Sequence, residues 1–275
     1  MTEPHVFTHE AMKTTFTLRM LSEDARQAQA AAFAGITLID DIENTLSRYI
    51  EGSDVWAINH MQSGESRFLT ERCYECLRHA LEAYMQTGGL FDITLGQQIE
   101  HRKNHLEGAP PALNGQLMVD PDKPAIHCVE AGREIDLGGI GKGYALDQVK
   151  LLLQDHGIHS ALISAGSSTQ LAFGDSSWNI ELKGNHNTLE IALKNQALSA
   201  SGTGVQGSHI VSPRGDATDY AHTRLWCVEK TATFADAWST ANMLMTQDEL
   251  NDLVNSGALI YSETDDQIQL LKPNF

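Results

Sequence analysis

Asp236 and Thr240, in Phe234-Ala235-Asp236-Ala237-Trp238-Ser239-Thr240, stand four residues apart in a segment of helical composition. On a helix that spacing puts both side chains on one face near its N-terminal end. A carboxylate and a hydroxyl, joined there by a backbone carbonyl, waters and a ligand phosphate, form the all-oxygen shell that Mg²⁺ favours. A plainer reading is an Asp favoured by the helix dipole and a Thr bonded back to its own helix. The second candidate is Gly138-Gly139-Ile140-Gly141-Lys142-Gly143, between a short strand and a helix. Glycines in that setting let backbone N–H groups approach a phosphate, although a strand-to-helix turn built only for close packing has the same residues. It is not a Walker A motif, because no Ser or Thr follows Lys142, and it does not fit G-x-G-x-x-G in register. Leu90-Phe91-Asp92-Ile93-Thr94 places an Asp among apolar neighbours after a double glycine, where a cap or turn aspartate is common. His209, in Ser208-His209-Ile210-Val211-Ser212-Pro213-Arg214, is the one histidine of twelve in a motif-like setting.

These residues need elements to hold them. Helical periodicity runs from Ser22 to Tyr49, with Ser22 as a cap and Ile36, Ile39, Ile42 and Leu46 on one face. A second helix is predicted from Thr70 to Thr87, closed by Gly88-Gly89, and Ser53-Asp54 can cap a short turn between the two. His101 to Pro124 has no period and reads as a surface excursion. Strands are predicted at 125–130, 134–137, 161–165, 170–173, 178–182, 189–193, 225–229, 258–262 and 267–271. Helices are predicted at 144–155, 235–245 and 247–255. That mixture makes the chain α+β, with mixed helices and sheets that could form two lobes around a shared cleft.

The 275 residues suffice for one large domain or two small ones, and the formal charge is -17. With no basic cluster longer than Arg102-Lys103, sequence-independent binding to nucleic acid or anionic lipid is disfavoured. Any anionic ligand must be held locally. Met-Thr-Glu-Pro-His-Val-Phe has no signal-peptide pattern and no apolar run reaches membrane-spanning length, so the cytoplasm is the expected location. Cys73 and Cys76 form a C-x-x-C without a second pair at zinc spacing, and the four cysteines read as structural.

Taken in order, several segments resemble the ApbE family of FAD:protein FMN transferases. They are Ala11-Met12-Lys13-Thr14, Leu46-Ser47-Arg48-Tyr49 with Ser53 and Asn59, Gly89 to Thr94, Ile135 to Ala145, Ser201-Gly202, His209-Ile210 with Pro213-Arg214, and Ala235 to Thr240. The resemblance implies one T-fold-related domain over residues 1–275 with a flavin and metal cleft. It implies Mg²⁺ held by the Asp236 and Thr240 side chains and the Gly139 carbonyl. FAD is expected along Met12, Tyr49, Leu90, Phe91, Asp92, Asp136, Lys142 and Ile210. The implied reaction moves FMN from FAD to a Thr or Ser hydroxyl of an acceptor flavoprotein and releases AMP.

A pyrophosphate concentrates negative charge that a cation and aimed amides neutralise as the bond breaks. His209 is the candidate base for the attacking hydroxyl, and Lys142 steadies charge on phosphate or on a nearby carboxylate. The chain departs from the family at Lys13, where Gly is common, at Ser212, which has lost a carboxylate, and at Gly215-Asp216, which replaces a Thr-Gly turn. Gly166-Ser167-Ser168 also lacks the acidic or amide residue that usually follows a double glycine. A metal-dependent FAD pyrophosphatase and a flavin-binding protein without turnover therefore stand as alternatives to transfer.

Overall fold

The computed structural model describes residues 3–203, 210–215, 222–264 and 267–273. In chain order the elements are β1 (His5–Ala11), β2 (Thr14–Leu21), α1 (Ala25–Leu46), α2 (Asp54–Asn59), β3 (Ser66–Phe68), α3 (Glu71–Gln86) and α4 (Gly96–Lys103). Then come β4 (Gln116–Val119), β5 (Ala125–Glu130), α5 (Gly141–Asp155), β6 (Ser160–Ala165), β7 (Thr169–Phe173), β8 (Trp178–Lys183), β9 (Thr188–Leu193) and β10 (Gln196–Gly202). The last are β11 (Arg224–Glu229), α6 (Ala232–Asn242), α7 (Gln247–Asn255), β12 (Leu259–Thr264) and β13 (Gln267–Leu270). The chain is α+β, as its sequence indicates.

Eight strands form an antiparallel sheet in the order β1-β2-β6-β7-β10-β11-β12-β13. Side chains alternate between its faces, as the two-residue period of a strand requires. Phe16, Leu18, Met20, Ile163, Leu171 and Phe173 face the larger core, which they share with α1, α3, α5 and α6. On the opposite face Leu162, Ala172, Leu198, Trp226 and Val228 pack beneath Ile180, Leu182 and Leu193 of the β8–β9 hairpin. Covering on both sides explains why Ala161 to Ala165 is a continuous apolar run broken only by Ser164.

Several boundaries and elements differ from the sequence expectation, each for a local reason. The first helix begins at Ala25 because Asp24, not Ser22, caps it, accepting the Arg26 and Gln27 N–H groups. The expected strand 134–137 makes only an isolated bridge between Leu95 and Glu134, since the Asn59 side chain occupies both polar groups of Ile135. The supposed excursion of 101–124 contains the end of α4 and all of β4. Strands β1 and β2 went unpredicted and are joined by Met12-Lys13, whose φ values of 50° and 58° fit a two-residue turn of the type usually filled by Asn-Gly. Lys13 thus holds a left-handed backbone that glycine adopts more easily, at a cost of roughly 1 kcal/mol.

All four cysteines are buried and unpaired, and burial pushes the Cys73, Cys76 and Cys227 thiols far up. Among the described residues no helix is long and apolar enough to cross a membrane.

Helix α7 opens with a capping box between Thr246 and Glu249, and Arg214 donates two bonds to Glu249 at 3.0 and 2.7 Å. The guanidinium first, and then the Thr246 N–H, pull the Glu249 carboxyl down to about 2. A depressed carboxyl stabilises the fold above its ordinary value near 4.5, and that contribution fades as pH falls toward 2. Glu249→Gln is expected to cost about 1 kcal/mol at pH 7 after allowance for solvent screening, or roughly 2–4 °C in Tm. Thermal melts from pH 7 downward should show the gap between variant and parent closing below pH 4.5.

Candidate functional site

A cleft of about 1320 Å³ opens where the glycine segment, the N-terminal half of α6 and the β6–β7 turn meet. Its walls include Met12, Tyr49, Leu90, Phe91, Asp92, Asp136, Gly139, Lys142, Ile210, Asp236 and Thr240. The residues expected to hold FAD and the metal are therefore at one place, and His209 lies outside the described residues.

Asp236 is the centre of the arrangement. Helix α6 starts at Ala232 rather than at Ala235 because Thr231 caps it, and Asp147 of α5 accepts the Ala232 and Thr233 N–H groups at 3.0 and 2.8 Å. Asp236 is consequently one turn inside the helix and 4% exposed. Its Oδ1 accepts from the Thr169 and Ser199 hydroxyls, both at 3.2 Å, and its Oδ2 accepts the Gly143 N–H at 3.1 Å. Lys142 Nζ stands 3.7 Å from Oδ2 and donates to the Gly138 carbonyl at 3.1 Å. Lys142 thus stands beside a carboxylate.

Helix α5 begins inside the glycine segment, at Gly141, and lacks a side-chain cap of its own. Asp236 supplies what is missing. An ideal Cβ on Gly143 would fall 2.1 Å from the Ala232 carbonyl oxygen, so only glycine lets α5 and α6 approach this closely. The two plain readings of this segment, close packing and anion approach, are not exclusive.

Thr240 Oγ1 donates to the Asp236 carbonyl at 3.3 Å and lies 3.5 Å from Ser201 Oγ. The bond back to its own helix is thus present, yet the hydroxyl also faces the cleft. A Cβ on Gly139 would come within 3.2 Å of that hydroxyl and 3.1 Å of Phe91 Cε2. Gly139 leaves a space beside Thr240 that any other residue would fill. Among the described residues no three His, Cys, Asp or Glu side chains gather as a metal-binding group. One carboxylate with hydroxyl and carbonyl oxygens is a donor set of another kind, and it fits a hard, oxygen-seeking cation.

Asp136 forms the opposite wall. Arg48 lies 3.4 Å from its Oδ2, Lys103 lies 3.7 Å from the same oxygen, and Oδ1 accepts the Gly138 N–H at 2.8 Å. Arg48 also pairs with Glu134 and donates to the Gly96 carbonyl. Tyr49 is half exposed at the rim, with Lys13 Nζ 4.4 Å above its ring and its hydroxyl donating to Glu100 at 3.1 Å. Burial, with help from Asp136 and Glu100, pushes this phenol up to about 12, so it remains a neutral donor at any working pH. Asp92 accepts the Thr94 N–H and hydroxyl at 2.7 Å, a turn aspartate that lines the cleft as well.

Sequence reasoning passed over Thr169, Ser199 and Asp147, and quoted Arg48, Ser201 and Ser239 without giving them a role. The serines carry no signal in a single sequence. Strand β10, which holds Ser199 and Ser201, was not predicted because Gln-Ala-Leu-Ser-Ala-Ser-Gly lacks the β-branched and aromatic residues of an ordinary strand. Small side chains are what the closeness of α6 demands there.

The ApbE family model matches residues 12–261. A protein of Treponema pallidum named FAD:protein FMN transferase is 27% identical over 265 residues, covering 81% of this chain and 71% of its own length. One of the same name from Escherichia coli K12 is 23% identical over 297 residues, covering 96% and 85%. Among solved structures, the ApbE protein of Thermotoga maritima superposes with a TM-score of 0.85 at 23% identity, covering 98% of this chain and 97% of that one. The apo form of Pseudomonas stutzeri flavinyl transferase ApbE gives 0.84 at 21% identity, covering 100% and 96%. The structural likeness establishes the shared fold, and the sequence match runs from the Met12 turn through the glycine segment and Asp236 to β12: the chain belongs to the ApbE family.

Proposed function

We propose that this chain is a Mg²⁺-dependent FAD:protein FMN transferase, a single domain that moves FMN from FAD to a Thr or Ser hydroxyl of an acceptor flavoprotein and releases AMP. The observation that carries the reading is the meeting of Asp236, Thr240 and Gly139 on the wall of one large cleft, in a family whose relatives bear that name.

Mg²⁺ would be held by the Asp236 carboxylate, the Thr240 hydroxyl and the Gly139 carbonyl, and when bound it would supply charge neutralisation at the pyrophosphate. The chain's own residues do the rest. Met12, Tyr49, Leu90, Phe91, Asp92, Asp136 and Ile210 hold the dinucleotide, and the buried apolar side chains among them keep water from the reacting bond. Lys142 faces the phosphates, whereas the Gly138, Ile140, Gly141 and Gly143 N–H groups are taken by Asp136, Leu137 and Asp236 and hold the segment in shape. The acceptor oxygen attacks the FMN phosphorus, the bond from that phosphorus to the bridging oxygen breaks, and AMP departs with the electron pair. His209 takes the hydroxyl proton.

Incubation with FAD, Mg²⁺ and candidate acceptors encoded near its gene should yield a fluorescent acceptor heavier by one FMN. No labelled band with any of them overturns the reading. The altered segment after His209 favours FAD hydrolysis as the second reading. Ser212 Oγ accepts the Arg214 N–H at 3.2 Å and the Arg214 side chain is directed to Glu249, so neither offers charge to an incoming hydroxyl. AMP formed at the same rate with and without acceptor would support hydrolysis.

A further inference from the structure

The cleft extends past the β6–β7 turn onto the second face of the large sheet, where it runs along β8. Asn179, Glu181 and Lys183 line it on one side, and Leu198, Arg224 and Trp226 line it on the other. Among the described residues β8 pairs only with β9, so its other edge is free.

The direction of that edge follows from the hairpin register. Gly184 N–H donates to the Asn187 carbonyl at 2.8 Å, closing the loop Asn185-His186. Counting back from this hydrogen-bonded pair, Leu182, Ile180 and Trp178 bond toward β9, whereas Lys183, Glu181 and Asn179 direct their N–H and C=O groups outward. The Arg224 guanidinium donates to the Lys183 carbonyl, which confirms the outward sense. The Asn179 and Glu181 backbone groups find no partner among the described residues. The indole Nε1 of Trp178, at the start of the same strand, is buried and likewise unpartnered.

We infer that an extended segment of the acceptor polypeptide docks as a third strand on the free edge of β8 and runs from there toward Asp236 and Thr240. The inference rests on the proposed transferase reading and names how the protein substrate is held. Strand addition supplies affinity through main-chain bonds at every second residue and leaves alternate side chains for pockets. Leu198 and Trp226 close the cleft behind this edge but are already covered by the β8–β9 hairpin, so the main-chain bonds carry the docking. The exposed charges of Glu181 and Lys183 guard the edge against indiscriminate pairing.

Proline at Glu181 deletes one outward N–H without removing a β8–β9 bond. With an acceptor that takes FMN in the assay above, Glu181→Pro should raise the acceptor KM about tenfold over Glu181→Ala, the scale of one lost hydrogen bond. AMP release without acceptor should stay within about twofold. Ala192→Pro, which removes an outward N–H of β9 at the residue paired with Asn179, tests for general damage to the hairpin and should leave the acceptor KM unchanged. In case the proline variant does not fold, hydrogen exchange of the wild-type chain should show slowed amides at Asn179 and Glu181 when that acceptor is added. An unchanged KM in folded Glu181→Pro, an equal effect of Glu181→Ala, or unslowed β8 amides would overturn the docking mode. A wild-type chain that labels no acceptor brings down the transferase reading itself, and this mode with it.

Discussion

Replacing Asp236 by Asn is expected to lower the rate of FMN transfer by about 10²–10³-fold, the scale of removing one preorganised electrostatic contact from a transition state. The substitution is nearly isosteric. The amide oxygen can still accept the Gly143 N–H, and the Thr169 and Ser199 hydroxyls can rotate to accept from the new NH₂ group. What disappears is the charge, together with the partner that holds Lys142 at 3.7 Å. Melting temperature should therefore change by only a few degrees, whereas single-turnover transfer at saturating FAD collapses. Added Mg²⁺ at high concentration should recover part of the rate if the loss is one of cation affinity. Near-parental transfer by a folded Asp236→Asn chain would remove Asp236 from the active machinery.

Gly143→Ala is expected to produce a large loss of stability from a single added carbon. Its Cβ would meet the Ala232 carbonyl oxygen at 2.1 Å, the Ala232 carbonyl carbon at 2.5 Å and Asp236 Cβ at 2.9 Å. Two of these are backbone atoms that no rotamer change can move. Relief requires α5 and α6 to part, which opens the core beneath them and breaks the bond between Gly143 N–H and Asp236. A cost of about 3 kcal/mol or more follows, roughly 6–12 °C in Tm for a chain of this size. Calorimetry measures it directly, and a Tm within about 2 °C of the parent would show that the helix contact is looser than it looks.

Much of the helical half could be read from the sequence because caps and period agree. Thr70 and Ser53 stand where the helices α3 and α2 begin, and Ile39, Ile42 and Leu46 line the buried face of α1. The sheet was harder. Strand β10 is built of Ala and Ser and lacks the composition by which strands are recognised, so its identity is set by what packs on it. Strands β1 and β2 do carry that composition, with Val6, Phe7 and Thr8 and with Phe16, Leu18 and Met20 alternating inward, and were legible but passed over.

The same division holds in the site. The glycine segment and the Asp236/Thr240 pair were legible because helix geometry makes a four-residue spacing meaningful without tertiary knowledge. Partners distant in sequence left no trace. Asp147 lies 85 residues from Ala232, and Ser199 lies 37 from Asp236, separations that only the fold can close.

Asp147 and Asp236 cross over. The carboxylate of α5 takes the first amides of α6, and the carboxylate of α6 takes an amide in the first turn of α5. Each helix is thus finished by its neighbour, and neither carboxylate can swing away without stranding N–H groups in a dry interior. The cleft wall built on this seam has its final shape in the chain alone, and whatever arrives must conform to it. Adaptation to different acceptors then falls to the other end of the cleft, where the strand edge is open and the backbone still has bonds to give.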